Sequence, residues 1–183
     1  MNIVLGVTGS ISAYKAAEIA NQLTKDGHDV HVVMTEGAAE FITPLTLQTL
    51  TKNKVHMGEF DEFDPSVVKH IDLAEKADLV LIAPATGNII GKIASGIADD
   101  LLSAVAMAAA IQAPIYIAPA MNTNMYLNPI VQGNIEKLRS LGYFIIDPKE
   151  SSHLACGTTG PGALEDVEKI VRTVELAGGV AGL

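Results

Sequence analysis

The sequence predicts a single α/β domain built on a parallel β-sheet, and three observations support this class. Short, fully apolar runs recur along the chain and end in small or hydrogen-bonding residues, as strands buried on both faces do. Between them lie longer segments with apolar residues at helical spacing. The first strand, helix and second strand follow one another within about 35 residues, which favours a right-handed βαβ crossover.

The first three elements illustrate the pattern. A buried strand is predicted over Asn2 to Val7. The helix that follows, from about Ser12 to Lys25, has alanine, isoleucine and leucine on its apolar side, and a second strand covers Asp29 to Met34. The later elements are a helix near Pro44 to Thr51, a short strand near Val55, a strand over Leu79 to Ala83, helical segments from Asn88 to Ala110, a strand over Ile115 to Ala118, a helix over Asn128 to Ser140, a strand over Tyr143 to Ile146 and a closing helix over Asp166 to Ala177.

No internal repeat, low-complexity tract or domain linker interrupts this series. Residues 1–183 are therefore expected to form one doubly wound, Rossmann-like domain with a parallel sheet. The acidic segment Asp61 to Pro65 is predicted to be a loop, and the glycine-rich end, Gly178 to Leu183, is predicted to fray.

Composition excludes several classes of function. The formal net charge of -9 makes nonspecific nucleic-acid binding a poor candidate, because such binding depends on lysine and arginine neutralising phosphates. The single cysteine, Cys156, cannot form an intramolecular disulfide. The start of the chain has no signal-peptide layout, and the apolar stretch Leu101 to Ala118 is interrupted by Gln112 and Pro114. A soluble cytoplasmic protein that binds neither membrane nor nucleic acid is expected.

Ligands of open α/β sheets bind beyond the carboxyl ends of the strands, so the residues just after the strands carry most information. All four such turns are small or hydrogen-bonding, and none contains a basic residue. They lack both the G-x-G-x-x-G dinucleotide fingerprint and the lysine–hydroxyl pair of a phosphate-binding P-loop. The four turns are Thr8 to Ser12, Thr35 to Gly37, Pro84 to Asn88 and Pro119 to Asn122.

Two interpretations of these hydroxyl groups stay open. Ser10 and Ser12 are able to donate hydrogen bonds to a phosphate at the start of the first helix. Equally, Ser12 is able to act only as the helix N-cap. The same two interpretations apply to Thr86 and Asn88.

A histidine and the cysteine stand out from the rest of the chain. His70 lies between the acidic segment and a buried strand, although a lone histidine is weak evidence of function. The other histidines show no metal-ligand spacing, so no metal is expected. Cys156 lies in a glycine- and threonine-rich segment, which resembles an active-site flap whose glycines permit closure.

Several motifs together resemble the flavin-containing cysteine decarboxylases, over nearly the whole chain. One of these motifs alone would be weak, but all of them in this order and at these separations are highly specific. The segment Pro84 to Ile89 departs slightly from the pattern of the family, and Tyr126 stands where tryptophan is often found. The motifs are Gly6 to Lys15, His70 to Leu73, Ala83 to Asn88, Pro119 to Tyr126 and Ala155 to Gly157.

The resemblance implies FMN as cofactor and decarboxylation of 4'-phosphopantothenoylcysteine to 4'-phosphopantetheine in coenzyme A biosynthesis. It implies a homotrimer, or a dodecamer of trimers, with active sites between subunits. Because the chain is too short for the ligase domain often fused to bacterial relatives, a separate phosphopantothenate–cysteine ligase is expected as pathway partner. FMN would be held by Gly9, Ser10, Ser12, Thr35, Pro84, Thr86 and Asn88.

The resemblance also assigns the chemistry. His70 would act near the flavin and the substrate carboxylate, Asn122 would bind that carboxylate with Met125 beside it, and Ala155 and Cys156 would lie on a flap over the substrate. Direct loss of CO2 from a cysteine carboxylate would leave an unstabilised carbanion, and a flavin avoids this by transient oxidation of the thiol-bearing carbon. Cys156 is the candidate for the final proton donor, and Asn122 is able to pair a carboxylate without adding charge.

Three other functions are compatible with the fold. A related flavoprotein could decarboxylate the C-terminal cysteine of a peptide. A flavin prenyltransferase shares the fold, but the motifs around Asn122 and Cys156 argue against it. A non-catalytic flavoprotein regulator is a third alternative, and the long acidic tail expected of such regulators is missing.

Overall fold

The computed structural model describes residues 1–58, 68–153, 157 and 159–180. Its centre is a five-stranded sheet in the order β2-β1-β3-β4-β5, and every neighbouring pair of strands is parallel. The sheet reverses its direction of growth between β1 and β3, and in a doubly wound sheet this switch point is where a ligand crevice opens. The strands are β1 (Asn2–Val7), β2 (Asp29–Met34), β3 (Leu79–Ala85), β4 (Ile115–Pro119) and β5 (Phe144–Ile145).

Helices cover both faces of the sheet. Alternate residues of β1 point to opposite faces, so Ile3, Leu5 and Val7 enter one buried cluster and Val4 enters the other. The first cluster includes residues of α1, α3 and α9, and the second includes residues of α4, α5, α6 and α8. The helices are α1 (Tyr14–Lys25), α2 (Glu36–Ala39), α3 (Pro44–Thr51), α4 (Lys69–Lys76), α5 (Gly87–Ser95), α6 (Leu101–Ala109), α7 (Thr123–Tyr126), α8 (Pro129–Ser140) and α9 (Val167–Val180).

The predicted fold class is confirmed, and most differences concern short elements. No strand forms near Val55, where His56 makes only an isolated bridge to Val33. The first helix begins at Tyr14, after a 3₁₀ turn over Ile11–Ala13. The predicted helical segments from Asn88 to Ala110 are the two helices α5 and α6.

Other differences lie at element ends or in elements that the sequence did not predict. Strand β3 continues through a cis Ala83–Pro84 bond to Ala85. Helix α9 continues to Val180, so the predicted fraying from Gly178 is wrong up to that residue. The short helices α2, α4 and α7 were not predicted, and the predicted loop Asp61 to Pro65 lies outside the described residues. None of the helices in the described part of the chain has both the length and the apolar character needed to span a bilayer.

Close packing brings α6 directly over the first strand. A Cβ added to Gly6 would lie 2.5 Å from Leu102 Cδ1, so the absence of a side chain at Gly6 lets this leucine approach the backbone of β1. The start of α6 is fixed by a reciprocal capping box, in which Asp100 Oδ1 accepts a hydrogen bond from Ser103 N at 2.8 Å. Asp100 Oδ2 also pairs with Lys92 Nζ of α5 at 2.6 Å.

Replacing Asp100 with alanine should therefore cost about 1–2 kcal/mol of unfolding free energy at neutral pH, because it removes the cap. Burial acts to raise the pKa of Asp100, but hydrogen bonds from Lys92 and Ser103 outweigh it and hold that pKa below its usual value. A depressed folded-state pKa gives stability that is present above the unfolded pKa of about 3.9 and is lost as pH falls through the folded value. The difference in unfolding free energy between wild type and the Asp100→Ala variant should thus become smaller below about pH 4.

The measurement is urea unfolding followed by circular dichroism at several pH values. Asp99→Ala is the matched control, because Asp99 also pairs with Lys92 but is 61% exposed and does not cap α6. The Asp99→Ala substitution should lower the unfolding free energy by less than about 0.5 kcal/mol. Equal losses in the two variants would show that the ion pair with Lys92, and not the cap, carries the stability.

Candidate functional site

Two adjoining clefts open at the carboxyl edge of the sheet, beside the switch point. The larger cleft has a volume of about 710 Å³ and the smaller one about 480 Å³, both within the range of small-molecule sites. They share Gly9, Thr86 and Met125, so they form one continuous depression. Among other residues, the larger cleft is lined by Thr8, Thr35, Gly37 and Asn88, and the smaller one by Ser10, Ser12, Asn122 and Gly162.

The turns after β1 and β3 are tied together by one buried hydroxyl. Thr8 is 2% exposed, and its Oγ1 donates a hydrogen bond to the carbonyl of Pro84 at 2.7 Å. The same oxygen accepts a hydrogen bond from the backbone N–H of Thr86 at 3.0 Å. Both bonds cross the switch point, so Thr8 fixes the distance between the two turns that form the floor of the clefts.

The turn after β2 closes against the turn after β1 through backbone contact. A Cβ added to Gly9 would lie 2.8 Å from the carbonyl carbon of Gly37, so only glycine at position 9 permits this approach without a shift. Thr35, at the start of α2, accepts a hydrogen bond from Ala38 N with its side chain. Three separate strand ends therefore meet within one depression.

The hydroxyl groups of these turns divide into caps and unengaged groups. Ser10 accepts from Ser12 N at 3.2 Å, so Ser10 and not Ser12 caps the 3₁₀ turn, and Thr86 caps α5 by accepting from Ile89 N. The side chains of Ser12 and Asn88 make no hydrogen bond to any residue that the structure describes, and both line the clefts. Donors in such positions are able to bind a ligand with neutral polar edges.

These groups fit the expected FMN. Its ring edges and ribityl hydroxyls need neutral donors and acceptors, which Ser12, Asn88, Thr35 and Thr86 offer around a cleft of sufficient volume. Pro84 is the exception among the predicted cofactor residues, because it is buried in β3 and is not among the lining residues. Its carbonyl is bound by Thr8, so its role is to support the turn.

The two clefts differ in charge. Glu36, Asp99 and Asp100 line the larger cleft, and the lysine there, Lys92, binds both aspartates at 2.6 Å. Hydrogen bonds to Asp100 and Asp99 raise the pKa of Lys92. The smaller cleft is lined by Lys15 and Lys149, and no carboxylate is among its described lining residues. Of these six charged residues, only Glu36 lies in one of the four turns that follow the predicted strands.

Asn122 and Met125 lie in the smaller cleft, as the resemblance implied. Asn122 Oδ1 accepts a hydrogen bond from Asn124 N at 2.8 Å and thereby caps α7. The turn that carries Asn122 is joined to the turn after β3, because Ala120 N donates to the carbonyl of Ala85 at 2.9 Å. Asn122 is therefore held at a fixed distance from Thr86.

A small hairpin contacts this turn from the other side. Its strands are β6 (Ser152–His153) and β7 (Thr159–Gly160), and they flank the predicted flap. Ala155 and Cys156 lie outside the described residues. The base of the hairpin is fixed, because Met121 N donates to the carbonyl of Gly162 at 2.9 Å and a Cβ on Gly162 would lie 2.4 Å from Met121 O.

His70 lies apart from the other predicted catalytic residues. It is in the first turn of α4, a helix that packs on α6 and β1, and it is not among the described residues that line either cleft. Gly9, Ser10, Ser12, Thr35, Thr86, Asn88, Asn122 and Met125 are all brought together by this chain. His70 is not brought to them within the same chain.

Comparisons with known proteins agree with this site. Residues 1–177 match the model of the flavoprotein family. The chain is 51% identical over 173 residues to a probable phosphopantothenoylcysteine decarboxylase of Streptococcus mutans, covering 94% of this chain and 96% of the relative. It is 48% identical to the coenzyme A biosynthesis bifunctional protein CoaBC of Bacillus subtilis, covering 95% of this chain but only 42% of that protein.

Solved structures of decarboxylases are also similar to this chain. A cysteine-to-serine mutant of PPC decarboxylase, complexed with pantothenoylaminoethenethiol, superposes with a TM-score of 0.86 at 32% identity and covers 96% of each chain. The FMN-dependent cysteine decarboxylase SpaF superposes with a TM-score of 0.82 at 33% identity and covers 97% of each chain. Both likenesses extend over the whole domain.

Substituting Gly162 with alanine should displace the hairpin. Gly162 has a φ of 126°, which side chains rarely adopt, and the added Cβ would meet a backbone oxygen that cannot rotate away. We expect at least about a tenfold loss of decarboxylation with the cofactor retained, because the loss of correct positioning is costly in rate. Cofactor absorbance and CO2 release measure the two quantities.

Gly133→Ala is the control for this substitution. Gly133 lies within α8, and a Cβ there would meet nothing within 4 Å. That variant should keep full activity and gain roughly 0.5–1 kcal/mol in stability. A Gly162→Ala protein with wild-type turnover would show that the base of the hairpin does not position the flap.

Proposed function

The chain belongs to the flavoprotein family, and we propose that it is an FMN-dependent decarboxylase that converts 4'-phosphopantothenoylcysteine to 4'-phosphopantetheine in coenzyme A biosynthesis. The observation that carries the proposal is the smaller cleft, where the turn of Asn122 adjoins the switch-point turn of Ser10. The likeness to a probable phosphopantothenoylcysteine decarboxylase over nearly the full length of both proteins supports the same substrate. A phosphopantothenate–cysteine ligase would act as the pathway partner that supplies this substrate.

FMN would be held by Gly9, Ser10, Ser12, Thr35, Thr86 and Asn88, with Pro84 supporting the turn through Thr8. When bound, FMN would supply a reversible two-electron oxidation of the thiol-bearing carbon, so that the oxidised group can accept the electron pair of the C–C bond that breaks when CO2 departs. The protein contributes orientation and proton handling. The side chains of Ser12 and Asn88, which make no hydrogen bond to any described residue, are the donors that ligand binding would engage.

Asn122 would bind the substrate carboxylate. Its Oδ1 accepts from Asn124 N, which fixes the orientation of the amide and makes the NH₂ group the donating end of this side chain. A neutral donor holds the carboxylate without adding a positive charge that would oppose loss of CO2. Met125, beside it and 53% exposed, offers an apolar surface to the neighbouring part of the substrate.

His70 would reach the site from another subunit. It does not line either cleft of its own chain, and an active site between subunits would account for its position outside them. Three apolar side chains of the smaller cleft are more than half exposed, namely Ile11 at 58%, Tyr14 at 60% and Met125 at 53%. A neighbouring subunit would cover them, so the proposal includes a trimer or a multiple of three, with the dodecamer as the larger form.

The purified protein tests the function directly. It should be yellow, and the cofactor released by acid should co-migrate with FMN. Incubation with 4'-phosphopantothenoylcysteine should give a product lighter by one CO2 by mass analysis. A peptide with a C-terminal cysteine is the competing substrate. A preference for this peptide would instead identify the protein as a peptidyl-cysteine decarboxylase. FAD, NAD or no cofactor after reconstitution would exclude the proposal.

His70→Asn and Asn122→Ala should each keep the fold and FMN but lose CO2 release by roughly a hundredfold or more, because each removes a group that positions the carboxylate. Single-turnover CO2 release and the flavin spectrum are the two measurements. Mixing the two variants is a further test of the site between subunits, since mixed oligomers would contain some complete sites. A variant that loses flavin and fold would instead identify its residue as structural.

Cys156→Ser should separate the two halves of the reaction. A thiol is a much stronger acid than an alcohol, so the variant should oxidise and decarboxylate the substrate yet fail to protonate the enethiol product. An oxidised product lighter than the normal one by two hydrogens should accumulate and be detected by mass analysis of a single turnover. The ethenethiol ligand of the related cysteine-to-serine mutant supports this expectation. Fully reduced product at the wild-type rate would show that Cys156 is not the acid.

A further inference from the structure

The larger cleft contains an ion-pair network that the proposed chemistry does not use. Lys92 of α5 places its ammonium group between two carboxylates, and its Nζ lies 2.6 Å from both Asp99 Oδ1 and Asp100 Oδ2. All three residues line the cleft, together with Glu36 in the first turn of α2. Among the described residues that line this cleft, three carboxylates therefore face one ammonium group.

Water screens the members of this network to different degrees. The side chain of Lys92 is 19% exposed, that of Asp100 is 28% exposed and that of Asp99 is 61% exposed. Hydrogen bonds to Asp100 and Asp99 hold the pKa of Lys92 above its usual value, so the ammonium group stays charged at neutral pH. Because three carboxylates outnumber one ammonium group, the field in the cleft is negative, and Lys92 weakens it from a partly desolvated position.

The negative field decides which part of FMN suits the larger cleft. A phosphate monoester carries between one and two negative charges at neutral pH, so the carboxylates would repel it. The flavin ring is neutral in its oxidised form and has apolar faces, and the apolar side chains of Met34, Leu101 and Leu102 line the same cleft. The ring, and not the phosphate, is therefore the part of the cofactor that fits here.

The proposed reaction changes the charge of that ring. Two electrons and one proton leave the C–H bond of the thiol-bearing carbon, the thiol hydrogen leaves as a proton, and a C=S bond forms. A neutral ring that accepts two electrons and one proton becomes an anion. Two electrons and one proton must later return to the product, so the oxidised and reduced forms of the ring must stay close in free energy.

Fixed charges around the ring act on this balance, because they interact more strongly with the anionic reduced form than with the neutral oxidised form. A carboxylate destabilises the reduced ring, lowers its reduction potential and favours the return of electrons to the product. An ammonium group has the opposite effect and favours the first transfer. Asp99 and Lys92 therefore act in opposite directions on the same equilibrium, although they belong to one ion pair.

We propose that the ion pair of Lys92 and Asp99 sets the reduction potential of FMN bound in the larger cleft, with Asp99 lowering the potential and Lys92 raising it, so that electrons pass to the flavin and back. This inference rests on the proposed function. Neither residue is catalytic, since each acts on the ring through its charge alone. Asp100 contributes to the same field, but it also caps α6, so its substitution would not report on charge alone.

The test is the midpoint potential of the FMN-loaded protein, measured without oxygen against a reference dye. Lys92→Gln should lower the potential by about 30 mV or more, which is a tenfold change in the equilibrium constant of a two-electron couple. Asp99→Asn should raise the potential by a smaller amount, about a threefold change in that constant, because water and salt screen the more exposed carboxylate. Both substitutions break the same ion pair, so a merely structural role predicts shifts of the same sign.

Lys25→Gln and Asp26→Asn are the matched controls. They make the same two charge changes at the end of α1, where both residues are exposed and line neither cleft. Both controls should have the wild-type potential. Unchanged potentials in Lys92→Gln and Asp99→Asn, or shifts of the same sign, overturn the proposal. If Lys92→Gln does not bind FMN, Asp99→Asn alone decides, because its side chain is largely exposed and does not cap α6.

The potential is measured without substrate, which keeps this inference distinguishable from the proposed function. Opposite shifts in a protein that binds FMN but releases no CO2 would support the inference and reject the proposed function. Normal CO2 release with unchanged potentials would reject the inference alone. During anaerobic turnover, flavin absorbance gives a second readout, since Asp99→Asn should hold a larger fraction of reduced flavin than wild type. An equal or smaller fraction would contradict the proposed direction of the effect.

Discussion

The hydroxyl group of Thr8 is the contact on which the geometry of this site depends. It is buried, it donates to the carbonyl of Pro84, and it accepts from the N–H of Thr86. The two backbone groups belong to the turn after β3, while Thr8 belongs to the turn after β1. Removing the hydroxyl would leave the buried carbonyl of Pro84 and the part-buried N–H of Thr86 without this partner, and a buried polar group left unpaired costs more than its hydrogen bond contributes. Further contacts extend from this link, since Thr86 caps α5 and Ala85 binds Ala120.

Charge is distributed unevenly between the two clefts of this depression. The larger cleft has neutral donors together with carboxylates, and its lysine is already bound by Asp99 and Asp100. Such a lysine is poorly available to a further anion. The smaller cleft is lined by the neutral amide of Asn122 and by the ammonium groups of Lys15 and Lys149. The larger cleft therefore offers carboxylates and neutral donors, and the smaller cleft offers ammonium groups and neutral donors.

Much of the fold could be predicted from the sequence, because strands buried on both faces are continuous apolar runs bounded by small polar residues. The same rule located the turns of Ser10, Thr86 and Asn122, since each follows such a run. Lys15 and Lys149 could not be found in this way, because neither follows a strand and their approach to the cleft depends on how α1 and the hairpin pack. Helix α4 was missed because only Leu73 and Ala74 of its eight residues are buried, which is too little periodicity to detect.

The contact between Met121 and Gly162 also determines when the site is able to form during synthesis. Three hydrogen bonds hold the depression together, in chain order. The first links Thr8 to Thr86, the second links Ala85 to Ala120, and the third links Met121 to Gly162. Contacts between residues so far apart in sequence form slowly and late, because the chain loses entropy in closing a long loop before the contact stabilises it. A nascent chain released only as far as α8 would contain the switch point but not the complete smaller cleft. Ligand binding in the smaller cleft therefore requires residues that follow α8, among them Lys149, Ser152 and Gly162.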